Sequence, residues 1–372
     1  MPSLSETIAR LAATRGMGRA ASAPSRLSEV TSFGSNPGAL RAHAYLPDVL
    51  PRNAPLVVVL HGCTQSAADY DHGSGWSQLA DRHGFALLFP EQQRENNPNL
   101  CFNWFLPNDI GRDGGEAASI AQMIAALVDA HALDRRRVFI TGLSAGGAMA
   151  VAMLASYPEV FASGAILAGL PFGCAATVPE ALQRMRGQGL PSEAALVGAV
   201  KGASSHRGEW PTISVWHGLQ DHTVVPTNGE AIVSQWLGVH GLDAAPSETL
   251  QVSGHDRRIW RDRKGVAKVE AFAIERAGHG TPLDGADGIG VSGAFMLDAG
   301  ISSTRHIAAF WQIAEPVEVT AAEPRRPAAA AKAPTPSSLL DLLPKRLKPG
   351  KAAASGPGKI IEDALKAAGL MR

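Results

Sequence analysis

The stretch "VFITGLSAGGAMA", Val138 to Ala150, sets a serine between glycines, directly after a β-branched and aromatic run and directly before a small-residue segment. The run before it suits a strand buried on both faces, and the Ala- and Met-rich segment after it suits a helix. A chain that turns straight from strand into helix holds the residue at the turn in a strained conformation. Bulky neighbours would clash where strand and helix cross. Gly142 and Gly146, two residues before and two after Ser144, remove those side chains, and Gly147 lets the helix approach closely. The Ser144 hydroxyl then stands clear at the sheet's C-terminal edge, near helix amides that favour developing negative charge. Glycine-flanked serines also occur in plain strand–helix turns and phosphate loops. The strand before and the helix after favour a nucleophile.

Working outward, the same alternation repeats. "PLVVVLHG", "FALLFPE", "SGAILAG", "TISVWHG" and "KVEAFAIE" are further buried-strand runs, and "ALRAHAYLP" alternates as an edge strand does. Helical patterns lie between them, notably Gly114 to Leu133 and the segment after Ser144. Buried strands alternating with helices predict an α/β fold with a mostly parallel central sheet covered on both faces. "PSETLQVSGHDRRIWRDRKG" reads as a hairpin added before the last strand. No internal repeat is evident.

The chain has 372 residues, equal numbers of basic and acidic side chains, and 45% hydrophobic residues. That is globular composition, and the balanced charge gives no support for a nucleic-acid partner. No apolar run reaches the roughly 18 residues needed to span a membrane. The N-terminus lacks the apolar core of about 7–15 residues that marks a secretory signal, which points to a cytoplasmic protein or to a mature chain without its leader. Four regions are expected: a helix and tether over 1–30, the catalytic domain over 31–313, a flexible Ala/Pro-rich linker over 314–357, and an amphipathic helix over 358–372. That last helix could dock on the fold, on a second protomer, or on a hydrophobic surface.

A serine hydroxyl needs a base. In a strand–turn–helix setting of this kind the acid and then the histidine should follow, each just beyond a strand. Asp221 follows "TISVWHG", and His279 follows "KVEAFAIE", between Gly278 and Gly280. Ser144 is therefore the expected nucleophile, His279 the general base and acid, and Asp221 the orienting carboxylate. His217, His222 and His306 are weaker candidates for the base, as are Asp256 and Asp284 for the acid. The oxyanion needs two donors. The Ala145 amide follows the nucleophile, and the Cys63 amide follows "LHG", where Gly62 lets the backbone bend. His61 is expected to hold that loop by hydrogen bonding.

Together "LHGCTQ" (Leu60–Gln65), "WSQLADRHGFALLFPEQ" (Trp76–Gln92), "CFNWF" (Cys101–Phe105), "GLSAGGAMA" and "GLPFGC" resemble the esterase family of polyhydroxybutyrate depolymerases. That α/β-hydrolase group also contains feruloyl and acetylxylan esterases. The resemblance covers roughly residues 31–312, and "FGSNPGAL" (Phe33–Leu40) is similar to the depolymerase branch. It implies an α/β-hydrolase fold, the same triad at Ser144, Asp221 and His279, the Cys63 amide in the oxyanion hole, and Trp104 in the substrate crevice. Trp104 and Phe105 are the candidate substrate-binding residues, with core packing as the alternative. Secreted members carry a signal peptide and a separate substrate-binding domain, and this chain shows neither pattern. Cys63 and Cys101 could meet at the site rim, although cytosolic thiols stay reduced.

The resemblance implies a serine esterase acting through an acyl-enzyme on short-chain 3-hydroxyalkanoate esters, polymer or oligomer, with no metal or organic cofactor. The nearest alternative is a feruloyl or acetylxylan-type carbohydrate esterase. An alternative of another class is a granule-associated binding protein with a vestigial site.

Overall fold

The computed structural model describes residues 25–317. The helix expected before residue 25, nearly all of the linker and the helix expected over 358–372 lie outside the described residues. The strands are β1 (Ser28–Glu29), β2 (Arg41–Tyr45), β3 (Leu56–Leu60), β4 (Ala86–Glu91), β5 (Val138–Leu143), β6 (Ser163–Leu167), β7 (Thr212–Gly218), β8 (Glu248–Val252), β9 (His255–Arg261), β10 (Ala267–Ile274), β11 (Thr281–Leu283) and β12 (Met296–Asp298). The helices are α1 (Ala67–Ser74), α2 (Trp76–His83), α3 (Pro107–Ile110), α4 (Gly115–His131), α5 (Ala145–Ser156), α6 (Val178–Met185), α7 (Glu193–Gly202), α8 (Thr227–His240) and α9 (Ser303–Phe310).

Ten strands form one sheet in the order β1-β2-β4-β3-β5-β6-β7-β10-β9-β8, and β11 and β12 pair separately. The six from β4 to β10 run parallel. Antiparallel strands close both margins: β1 on β2 and β2 on β4 at one side, β9 on β10 and β8 on β9 at the other. The alternating "RAHAY" of β2 is thus second from the margin, covered by the two-residue β1. The expected hairpin is β8–β9.

β3 shows why the middle strands read as unbroken apolar runs. Leu56, Val58 and Leu60 enter one core, while Val57 and Val59 enter the other. Successive side chains of a strand point to opposite faces, so a strand covered on both sides must be apolar throughout. One core takes the inner faces of α4, α5, α7 and α8. All twelve residues of α5 are buried. The other core is built on α1, α2 and α9, where Trp311 stacks between Trp76 and Phe139 with ring centroids 5.7 and 5.0 Å away. Full burial of one such side chain stabilises by about 1.5–3 kcal/mol. Among the described residues no helix is long and apolar enough to cross a membrane.

Candidate active site

Ser144 sits between β5 and α5 with φ 57° and ψ −118°, a strained backbone that a non-glycine residue holds only where its surroundings fix it. Its amide donates to Leu167 O at 2.9 Å, and its carbonyl accepts from the Ala148 amide at 2.9 Å. The glycines around it are forced by contact. A Cβ on Gly146 would lie 2.4 Å from the Leu60 and His61 carbonyl oxygens, and one on Gly142 would lie 2.4 Å from the Gly146 carbonyl. The helix therefore starts against the end of β3 as well as above β5.

Asp221 and His279 follow β7 and β10. With about 4.8 Å between neighbouring strands, β10 lies some 14 Å along the sheet from β5. For the expected trio to meet, the imidazole would have to reach back across the ends of β7 and β6. Backbone contact joins the acid loop and the histidine loop. Leu219 donates to Ile274 O and Gln220 to Ala277 O, at 3.0 and 2.9 Å. Gly218 lies so close to the histidine loop that a Cβ there would sit 2.4 Å from Ala277 O.

His279 Nδ1 donates to Asp221 Oδ2 at 2.7 Å. That bond assigns the proton to Nδ1 and leaves Nε2 free to accept one. The other carboxylate oxygen, Oδ1, accepts the Thr223 and Val224 amides at 2.8 and 2.9 Å. Burial by itself would raise the Asp221 pKa. Hydrogen bonds from His217 and His279, the His279 charge and the Val224 amide outweigh it and hold the carboxyl well below the usual range. His217 bonds Val224 O at 2.8 Å and stands 3.5 Å from Asp221 Oδ2, so it packs the acid loop. The edge of Phe295 lies against His279, with ring centroids 6.2 Å apart. Among the described residues the Ser144 hydroxyl makes no capping bond to its helix.

The loop after β3 is held from several sides. His61 Nδ1 donates to Gly62 O at 2.8 Å and its Nε2 accepts the Gln92 amide at 3.1 Å, so the ring is neutral; burial pushes its pKa down. Gln65 Oε1 accepts the Gly62 amide at 2.8 Å, and Thr64 donates to Asn99 O at 2.7 Å. The Cys63 and Ala145 amides have no backbone partner among the described residues. Cys63 and Cys101 form a disulfide. Cys174 is free and buried. The bond fastens the loop to the segment carrying Trp104 and Phe105. Trp104 is buried in the core on the α4–α5 side and meets Phe105 edge to face at 5.3 Å, with Phe105 only partly covered. Core packing thus accounts for much of Trp104, and Phe105 is the more open of the two. No group of three or more metal-ligating side chains occurs among the described residues.

Residues 41–257 match the family described as Esterase PHB depolymerase. Poly(3-hydroxyalkanoate) depolymerase C of Paucimonas lemoignei is 44% identical over 292 residues, 77% of this chain and 70% of that one. The chain belongs to the esterase family of PHB depolymerases. Within the same family's reach, feruloyl esterase B of Thermothelomyces thermophilus is 34% identical over 64% of this chain and 81% of its own length. An acetyl xylan esterase structure from Aspergillus awamori superposes with a TM-score of 0.63 at 27% identity, covering 68% of this chain and 93% of that one. The fold is that of the α/β-hydrolases.

In this family member the sequence-derived trio sits at the C-terminal ends of β5, β7 and β10, with the acid and base in contact. Asp256 lies in β9 and His306 in α9, away from the strand ends. His222 is exposed beside the acid and makes no hydrogen bond to it. Sequence reasoning missed Phe295, Gln92 and Glu116. Glu116 had a signal: it is a carboxylate on the inner, apolar face of a helical pattern shared with Ala117, Ile120 and Ile124. Phe295 had none, because its place beside His279 is set by the irregular chain between β11 and β12.

Proposed function

We propose that this esterase hydrolyses the ester bonds of short-chain polyhydroxyalkanoates or their oligomers through an acyl-enzyme formed on Ser144. The observation that carries the reading is the His279–Asp221 bond at the sheet edge that also presents the strained Ser144. Its substrate class is supported by the 44% identity to a poly(3-hydroxyalkanoate) depolymerase, against 34% to a feruloyl esterase.

His279 Nε2 takes the Ser144 proton as Oγ attacks the ester carbonyl carbon. The carbonyl oxygen becomes an oxyanion received by the Cys63 and Ala145 amides. Collapse breaks the acyl–oxygen bond, and His279 returns the proton to the departing alcohol. Water then adds to the acyl-enzyme with His279 again as base, which releases the acid and restores Ser144. Asp221 holds the ring and stabilises its charged form without taking the proton. The reading requires a serine–histidine hydrogen bond that forms as substrate enters, since catalytic hydrogen bonds commonly close only in the substrate complex.

Ser144→Ala tests the nucleophile: kcat should fall by at least about 10³ with the fold unchanged. Retention of hydrolysis within tenfold of the parent overturns the assignment. Release of 3-hydroxybutyrate from amorphous polymer, measured beside ferulate and acetate release from matched esters, tests the substrate class. Preference for an aryl or acetyl ester selects the carbohydrate-esterase reading. We also infer an oxidising working compartment in place of the cytoplasmic expectation, on the support of the Cys63–Cys101 bond.

A further inference from the structure

Beneath the Trp104 segment lies a carboxyl group that the acyl-transfer steps do not use. Glu116, in the first turn of α4, is 1% exposed. Its Oε1 accepts Gln92 Nε2 at 2.5 Å and its Oε2 accepts the Asn103 amide at 2.8 Å. Gln92 carries the connection in two directions. Its side chain also donates to Cys101 O at 3.0 Å, and its amide donates to His61 Nε2 at 3.1 Å. His61 in turn bonds Gly62 O, one residue before the Cys63 amide. Asn103 is one residue before Trp104. A single buried carboxyl thus touches, through one or two hydrogen bonds, both the loop that offers an oxyanion donor and the segment that walls the crevice.

We propose that Glu116 is a positioning residue for ester hydrolysis, which holds the Cys63 loop and the Cys101–Phe105 segment in one geometry and does so in its neutral form. The proposal rests on the serine-esterase reading above. Both of its partners are N–H donors, one to each oxygen, so the carboxyl grips both segments at once; these bonds alone would favour the charged form, and burial without a cation opposes them. Ionisation would bury a charge with no cation against it: no ion pair of the described residues includes Glu116. The ionisable neighbours are unfavourable. Asp109 of α3 lies alongside, with Gly115 packed against its carboxylate, and His61 is neutral. The disulfide does not titrate. Gln92, Asn96 and Asn103 are uncharged. Burial, with the Asp109 charge adding to it and the Asn103 and Gln92 bonds opposing it, pushes the Glu116 pKa up to about 8. Ionisation above that pH would repel Asp109 and leave an uncompensated buried charge, loosening the two segments that the carboxyl holds and lowering kcat.

Glu116→Gln keeps the shape and cannot ionise, but its amide turns an N–H₂ toward one of the two donors and loses that bond. With a soluble ester, and with rates normalised to the serine sites labelled by an organophosphate, kcat of E116Q should fall by about 10- to 100-fold while KM changes less than about threefold. The parent's kcat should decline as pH rises through about 8, and E116Q should lack that decline. A parent-like kcat per labelled site, or an unchanged alkaline limb in E116Q, overturns the proposal. Should E116Q fail to fold, the parent alone decides, since a kcat flat from pH 7 to 9.5 excludes the role. Ser144→Ala, run in parallel, separates the two readings. If it stays active the serine-esterase reading has failed. If it is inactive while E116Q matches the parent, only the role of Glu116 has failed.

Discussion

The residue that most rewards attention to protonation is Asp221. It is buried yet ionised, because two backbone amides and the His279 ring stand where water would otherwise solvate it. Asp221→Asn should leave the loop in place but let the amide hold the ring in the wrong tautomer, and kcat should drop by about 10³–10⁴ with KM nearly unchanged. Stability has a sign too. A carboxyl held below its ordinary value of about 3.9 stabilises the fold fully above that value, and the contribution is lost as pH falls through the folded value. Urea midpoints of the parent should therefore decline on acidification below about pH 4, and D221N should decline less steeply. Both Asp221 and His279 were legible because each directly follows a buried-strand run. Glu116 was passed over although its place on the apolar face of a helical pattern marked it, and Phe295 was out of reach because the path of an irregular loop is a tertiary fact.

At the level of elements, the approach of α5 to β3 decides the site. Gly146 meets two backbone carbonyls, which cannot swing aside as a side chain would. α5 is itself buried all round, so it cannot retreat. Gly146→Ala should cost about 1–3 kcal/mol of stability and at least about 10² in kcat, read from melting curves and ester turnover. Gly198 in α7 is the control, because a Cβ there meets nothing within 4 Å. Gly198→Ala should stabilise by about 0.4–1 kcal/mol and leave turnover alone. Equal effects at the two positions would refute this account. The need for glycine on either side of Ser144 was readable from the letters alone. That the partner in the clash is the loop carrying Cys63 was not, because strand order is not written in local periodicity.

For the whole molecule, alternation of apolar runs and helices foretold a parallel sheet covered on both sides, and the hairpin near its end. The order of the strands and the cross-link between the loops after β3 and β4 required coordinates. The cross-link closes 38 residues. In the chain-entropy picture a loop of that size stabilises by about 4 kcal/mol. Thiol titration of the denatured chain should find one thiol before reduction and three after it, and reduction should lower both the melting temperature and turnover. Three thiols without reductant would refute the bond.

The sheet's two margins have a consequence for self-association. One margin is a strand only two residues long. The other is β8, whose Glu248 pairs with Arg261 of β9 and whose outward residues are partly or fully exposed. Short or charged borders discourage strand addition from a neighbouring molecule. Copies crowded side by side at high local concentration would find little bare ladder on which to zip together, and the catalyst would stay dispersed.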